Sequence, residues 1–174
     1  MLVEIDDLAE VGDPHFLFST LRERIVEHVF IGELLRSLWL RGITDVEVLR
    51  SEFDAGGYDI VLAFGKVVRH VQFKTMMVGG KAANVKISLK LGEKPSGCVI
   101  WIVATPSLGF DHFLWFGGAP GDPLPDISQF RVAKHTKGNA EGVKLERPQH
   151  RVVPRSKFDT LRSIDEVIGW LFGV

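Results

Sequence analysis

The feature that most constrains this chain is a pair of short apolar segments, residues 58–64 and 67–75, joined at Phe64-Gly65-Lys66. Segments of this length separated by a glycine-containing turn are typical of a β-hairpin. Polar side chains stand at its two open ends, where an acid, Asp59, opens the first strand and an amide and an amine close the second. Antiparallel pairing is therefore expected to bring these three groups together.

The amide and the amine are Gln72 and Lys74, which are two residues apart. Side chains two apart on a strand share one face of a sheet, so both point the same way while Phe73 points the other way. Burying polar groups costs free energy unless they are paired, so their convergence with Asp59 indicates a functional site rather than ordinary core. The alternative is a buried ion pair between Asp59 and Lys74 beside a hydrogen-bonded amide.

The length of 174 residues predicts one domain, residues 1–174, in which 1–13 form a flexible arm. The composition, 45% hydrophobic and 25% charged, is ordinary for a globular protein. No apolar run approaches the roughly 20 residues that cross a bilayer, which argues against a membrane partner. A single cysteine, Cys98, excludes an internal disulfide, and the acidic N-terminus lacks the form of a signal peptide. The cytoplasm is therefore the expected compartment.

The remaining periodicities predict an α/β protein. Apolar residues recur at spacings of three and four across 19–40, which indicates a helix, and the run 98–104 is apolar throughout, as in a strand covered on both faces. Further expected elements are strands at 45–51, 85–91 (or a short helix there) and 113–116, and a helical pattern from about Lys157 with a capping box at 163–166. This order predicts a central mixed β-sheet flanked by helices.

The order helix, strand, hairpin, with Asp59 opening the second strand and Gln72-Phe73-Lys74 on the third, resembles the PD-(D/E)XK nuclease superfamily, also called restriction-endonuclease-like. In that family an Asp opens the second strand and an acid-x-Lys element lies on the third. Gln in the first place of that element is a known variant. The resemblance covers residues 19–75 and extends to the strand at 98–104. It implies a restriction-endonuclease-like fold and a metal-dependent nuclease that hydrolyses DNA phosphodiester bonds.

The resemblance implies a catalytic set of Asp59, Gln72, Lys74 and Glu33. It also implies a Mg²⁺ or Mn²⁺ cofactor held by Asp59, Gln72, the carbonyl of Phe73 and Glu33. Such oxygen ligands suit a hard cation, and phosphodiester hydrolysis needs an activated water and neutralised phosphoryl oxygens. In this scheme Lys74 orients the water and stabilises negative charge. Gln in place of a carboxylate is expected to weaken metal binding.

The resemblance does not decide which acid of the first helix belongs to this set. Projection at 100° per residue places Glu33 among inward-facing residues such as Phe30, whereas Glu27 projects close to Leu34. Glu33 is favoured and Glu27 is the alternative, and either could instead be a partly exposed residue with an Arg partner. Asp54 is a further candidate ligand, although an Asp before Ala-Gly-Gly is more often a turn residue.

The net charge of −1 argues against nucleic-acid binding, but the charge is unevenly distributed. Residues 131–157 carry eight Lys or Arg against two Glu. The candidates for nucleic-acid contact there are Lys134, Arg147, Arg151 and Arg155, and the alternative is a solvated loop region. The resemblance implies DNA as the partner and a homodimer that cuts both strands.

Two other functions stay open at this point. Gln72 in place of an acid and the near-neutral charge favour a catalytically inactive nuclease fold that binds nucleic acid or protein. The second alternative is an interaction module of a larger assembly, with residues 110–150 as its contact surface.

Overall fold

A computed structural model describes residues 17–53, 56–135, 142 and 144–174. The expected arm at 1–13 and the candidate ligand Asp54 lie outside the described residues. Within the described part of the chain, no helix has both the length and the apolar character needed to cross a bilayer.

Within the described residues, a long helix precedes four strands, a short helix precedes five more strands, and a third helix follows them. The helices are α1 (Ser19–Leu40), α2 (Leu89–Gly92) and α3 (Ile164–Phe172). The strands are β1 (Glu47–Arg50), β2 (Ile60–Phe64), β3 (Val67–Met77), β4 (Asn84–Ser88), β5 (Gly97–Ala104), β6 (Phe110–Gly117), β7 (Val132–Lys134), β8 (Glu146–Pro154) and β9 (Asp159–Leu161).

Six of these strands form a large sheet in the order β1-β2-β3-β5-β6-β9. Neighbours are antiparallel except β3 and β5, which run parallel, so the sheet is mixed. A smaller antiparallel sheet has the order β4-β8-β7. The predicted α/β class, with a central mixed sheet flanked by an N-terminal and a C-terminal helix, is confirmed.

One face of the large sheet, called here the helix face, is covered by α1 and α3. Helix α1 buries Val26, Phe30, Leu34 and Leu38, which recur at spacings of four and therefore line one side of the helix. They pack on sheet residues Ile60, Leu62, Val71, Phe73, Cys98, Ile100, Ile102, Ala104, Phe113 and Trp115. Burial raises the pKa of the Cys98 thiol to about 12, so this side chain behaves as a small neutral core residue.

The two covering helices are joined at one end by hydrogen bonds. Ser37 Oγ and Arg41 Nη2, in and just after the last turn of α1, donate to Asp165 Oδ1 at 2.6 and 2.7 Å. These bonds lower the pKa of Asp165, and they hold the first turn of α3 against the end of α1.

The opposite face, called here the small-sheet face, packs against β4, β8 and α2. Its buried residues are Met76, Val99, Trp101, Val103, Leu114 and Phe116 of the large sheet with Ile87, Leu91, Val153 and Phe158 above them. Because both faces of the sheet are covered, β5 is buried at every position, as its continuous apolar run predicted.

The predicted hairpin is confirmed. Strands β2 and β3 pair antiparallel, with Ile60 opposite Val71 and Phe64 opposite Val67. Gly65 in the turn has φ of 58°, a left-handed conformation that glycine adopts without a steric penalty.

The C-terminal helix begins later than its apolar pattern suggests. Residues 155–157 form a 3-10 turn and 159–161 form β9, which pairs with β6 at the end of the large sheet. Ser163 caps the true helix, because its Oγ accepts a hydrogen bond from Glu166 N–H at 3.1 Å. Ser163 is therefore confirmed as the N-cap, whereas the Glu166 carboxylate accepts from the neighbouring Arg162 N–H at 2.9 Å. The helical pattern between Lys157 and Ser163 was wrong because sheet pairing overrode it.

The segment 84–92 contains both elements that its sequence allowed. It begins as β4 and turns into the short helix α2 at Leu89. The change occurs where Ser88 Oγ accepts a hydrogen bond from Lys90 N–H at 3.3 Å, so a cap residue interrupts the strand pattern.

Arg69 on β3 is fully buried and ties the C-terminal helix to the middle of the large sheet. Its guanidinium donates hydrogen bonds to the carbonyls of Trp170 and Leu171 at 2.8 and 2.9 Å and to Gly118 O at 3.0 Å. The group also lies 5.3 Å from the ring centre of Trp115. Desolvation lowers its pKa, and the carbonyls at the end of α3 accept from its Nε and Nη2, while Nη1 has no hydrogen-bond partner within the described residues.

We expect Arg69→Leu to lower the free energy of unfolding by about 3 kcal/mol, since three backbone carbonyls in buried or part-buried hydrogen bonds would each lose a donor. The matched control is Arg36→Leu, because the Arg36 side chain is 64% exposed. That control should change stability by no more than about 0.5 kcal/mol. Urea unfolding followed by circular dichroism measures both, and equal losses in the two variants would contradict the structural role of Arg69.

Candidate functional site

The carboxylate of Asp59 lies beside the middle of β3. Asp59 comes directly before β2, and its N–H donates to Val71 O at 2.8 Å. Its Oδ2 accepts a hydrogen bond from Phe73 N–H at 2.6 Å. Because Phe73 lies between Gln72 and Lys74, the two open ends of the hairpin come together as predicted.

Gln72 and Lys74 stand on the small-sheet face of β3. In the parallel register with β5, Gln72 lies opposite Val99 and Lys74 opposite Trp101, and both of these neighbours are buried. Gln72 is 9% exposed, and its Oε1 is buried without a hydrogen-bond partner among the described residues. Lys74 is half-buried. A buried amide oxygen in this state is unfavourable for stability, so packing alone does not explain the choice of Gln at position 72.

The oxygens at this end of the hairpin have the chemistry that a hard cation prefers. Asp59 offers a carboxylate, and Gln72 offers an amide oxygen that has no partner within the described residues. The carbonyl of Phe73 leaves β3 on the same side as the N–H that binds Asp59. Mg²⁺ often takes one or two carboxylates and keeps several waters, so this donor set fits such an ion.

The fit relies on a single carboxylate. Within the described residues, no group of three or more His, Cys, Asp or Glu side chains is placed to hold a metal ion. The described residues therefore do not supply the cluster of acids that would replace the charge lost by having Gln72 instead of a carboxylate.

Asp59 also lines a pocket of about 410 Å³ at the end of the sheet where β1 finishes and β2 starts. Gln72 and Lys74 do not line this pocket. The other described residues in its wall come from α1, from the last residue of β1 and from the following loop: Arg24, His28, Arg50, Ser51, Glu52, Phe53 and Tyr58. The pocket therefore gives a ligand access to the Asp59 carboxylate from the side of α1 and β1.

The acid of α1 that is connected to this pocket is Glu27. Its side chain is 10% exposed, and its Oε2 lies 3.0 Å from Arg24 Nη1 and 3.6 Å from Arg50 Nη1. Glu33 is 40% exposed and forms an ion pair with Arg36 at 2.6 Å. The inward orientation expected for Glu33 is therefore wrong, because apolar residues occupy several sides of α1 and projection could not fix which side faces the sheet. A metal-binding role for Glu33 remains a prediction that its position does not favour.

The four basic candidates lie on the small sheet or directly after it. Lys134 ends β7, Arg147 and Arg151 belong to β8, and Arg155 begins the 3-10 turn. Arg151 donates hydrogen bonds to three backbone carbonyls at 2.7–3.2 Å. That guanidinium is therefore occupied in holding the backbone of this sheet, and nucleic-acid contact by the four residues remains a prediction.

Sequence reasoning missed the cationic wall of the pocket, formed by Arg24 and Arg50. A signal for Arg50 was present, since an antiparallel β1–β2 pair places residue 50 opposite residue 60 and hence beside Asp59. Arg24 could be added only once the rotation of α1 was known.

A comparison with models of protein families gives no match, and no curated protein is significantly similar to this sequence. The function is therefore argued from the site itself.

We expect Gln72→Leu to leave the free energy of unfolding unchanged or to raise it by about 1 kcal/mol in EDTA, because an unpaired buried polar atom is removed at similar volume. The matched control is Ser88→Ala, another buried polar residue, whose Oγ does have a donor. That change should cost about 1 kcal/mol. A clear loss of stability for Gln72→Leu in urea unfolding would show that the amide is a structural group.

Proposed function

We propose that this chain is a metal-dependent nuclease of the PD-(D/E)XK type that hydrolyses DNA phosphodiester bonds. The observation that carries the proposal is the hydrogen bond from Phe73 N–H to Asp59 Oδ2. This bond fixes an acid beside a strand that presents an amide oxygen and an ammonium group on one face.

Each group at the site has a chemical task in this proposal. Asp59, the amide oxygen of Gln72 and the carbonyl of Phe73 would hold Mg²⁺ or Mn²⁺, which supplies Lewis acidity toward a phosphoryl oxygen. The bond to Phe73 N–H holds the Asp59 carboxylate in one orientation, so no reorganisation is needed on binding. The ammonium group of Lys74 orients a water and stabilises the negative charge that develops during attack.

The expected partner and compartment belong to the same proposal. The substrate is DNA, the chain acts in the cytoplasm, and two copies pair so that both strands are cut. The single cysteine, which is buried as a neutral thiol, agrees with a reducing compartment.

A second candidate function is a catalytically inactive nuclease fold that binds nucleic acid or protein. The observation that favours it is the single carboxylate at the site, since Gln72 carries no charge and no group of three metal-binding side chains occurs among the described residues. This form would keep the hairpin geometry and lose the affinity for the ion.

We expect divalent-ion-dependent cleavage of plasmid and branched DNA, with activity reduced at least about 100-fold in Asp59→Asn and in Lys74→Met, because each change removes a charged group from the site. The measurement is gel-resolved cleavage with Mg²⁺, with Mn²⁺ and with EDTA.

The matched controls are Asp45→Asn and Lys66→Met, which replace exposed residues outside the site. They should retain full activity. Activity that survives both substitutions at the site would refute the assignment, and no activity in the wild type together with intact DNA binding would favour the inactive fold.

We expect Gln72→Glu to bind Mn²⁺ about tenfold more tightly than the wild type, because it restores the carboxylate typical of this position. Gln72→Leu should bind more weakly than the wild type. Isothermal titration with Mn²⁺ measures all three proteins, and equal affinities would show that position 72 is not a ligand.

A further inference from the structure

The pocket beside Asp59 has a wall that the proposed hydrolysis does not use. Arg24 on α1 and Arg50 at the end of β1 both line it, and Glu27 lies between them. Glu27 is buried, whereas the side chains of Arg24 and Arg50 are 59% and 36% exposed. The buried carboxylate of Glu27 therefore holds the guanidinium groups of Arg24 and Arg50 at the surface of the pocket.

The shared carboxylate leaves the arginines able to bind an anion. One negative charge on Glu27 is set against two positive charges. Within the described residues, Arg24 donates one hydrogen bond, from Nη1 to Glu27, out of the five N–H donors that a guanidinium carries. Planar guanidinium groups with unused donors are well suited to the oxygens of a phosphate.

The rest of the described wall shows where the anion can lie. Glu52 and Asp59 also line the pocket, so together with Glu27 three carboxylates surround the two arginines. A phosphate is expected on the arginine side, away from Glu52. A divalent ion held at Asp59 would raise the total positive charge and strengthen this binding.

An exposed aromatic ring stands beside the arginines. Phe53 lines the pocket and is 72% exposed, so the face of its ring is accessible to a ligand. Tyr58 lies on the same pocket wall, and its ring packs edge-on against His70 at 4.9 Å, so its position is fixed. An exposed ring next to cationic side chains is the arrangement on which unpaired nucleic-acid bases stack.

We infer that this pocket binds one nucleotide of a single strand, with the phosphate on Arg24 and Arg50 and the base stacked on Phe53. The inference rests on the proposed function for its substrate class, DNA, and adds a preference for unpaired over duplex substrate. Bases in a duplex are stacked on one another, so only an unpaired base can reach the face of Phe53. The pocket volume of about 410 Å³ lies within the range of small-ligand sites, roughly 300–1,000 Å³.

Binding without cleavage tests this inference. Fluorescence anisotropy in EDTA compares a labelled oligothymidine with a duplex of equal length, over a range of salt concentrations. The wild type should bind the single strand at least about tenfold more tightly than the duplex. Phe53→Ala should weaken single-strand binding about tenfold and leave its salt dependence unchanged.

The arginine variants should have a different signature. Arg24→Gln and Arg50→Gln should each reduce the slope of log affinity against log salt, by up to about 0.7, because both arginines contact the same phosphate and each change removes part of its neutralisation. Single substitutions are used because each leaves Glu27 with one of its two arginines, so the buried carboxylate keeps a cation.

Two variants on α1, the helix that carries Arg24, serve as matched controls. Trp39→Ala removes another exposed aromatic ring, 69% exposed, and Arg36→Gln removes another exposed arginine that is paired with a Glu three residues away. Both should bind like the wild type.

The inference is overturned if the wild type binds duplex as tightly as single strand, fails to bind oligothymidine, or loses no more affinity through Phe53→Ala than through Trp39→Ala. Unchanged salt slopes in both arginine variants would overturn the phosphate contacts. Because these measurements are made in EDTA, an absence of nuclease activity would refute the proposed hydrolysis and leave the pocket assignment standing. Conversely, a failure of the binding test would refute the pocket assignment and leave the proposed hydrolysis standing.

Discussion

The cost of burying polar groups in a strand that is covered on both faces governs the centre of this structure. Strand β3 carries two such groups. The guanidinium of Arg69 finds three carbonyl acceptors and a tryptophan ring on the helix face, while its Nη1 has no hydrogen-bond partner within the described residues. The amide oxygen of Gln72, on the small-sheet face, finds no partner within the described residues. The fold thus satisfies most of the first group, whereas the second group is the one for which we propose a ligand.

Much of the architecture could be predicted from local patterns, because several segments carry a strong periodicity or a specific cap. Residues 19–40 form the predicted helix, the hairpin turns at Gly65, and the apolar run at 98–104 is a fully buried strand. Ser163 and Glu166 form the predicted cap. In each case local preference and tertiary packing favour the same structure.

The predictions failed where tertiary pairing decides the outcome. Residues 157–162 have helical spacing, yet their neighbours in space make β9 an edge strand of the large sheet. The strands β7 and β8 were not recognised, because their register is shifted between Val132 and Ala133 and their exposed basic residues show no clear alternation.

The choice between Glu27 and Glu33 depended on the rotation of α1, which carries exposed apolar residues such as Leu21 and Trp39 in addition to its buried stripe. The residues of the candidate site on the hairpin were predictable because they lie on one local unit, whereas the pocket wall combines three separate segments.

The hydrogen bonds of Arg69 also have a consequence for the order in which the chain folds. Its acceptors on α3 lie 101 and 102 positions further along the sequence, so the guanidinium stays without them until α3 has been synthesised. A contact of such long sequence separation forms late in folding. The large sheet is therefore expected to reach its final packing only when α3 docks on it and supplies these two carbonyls.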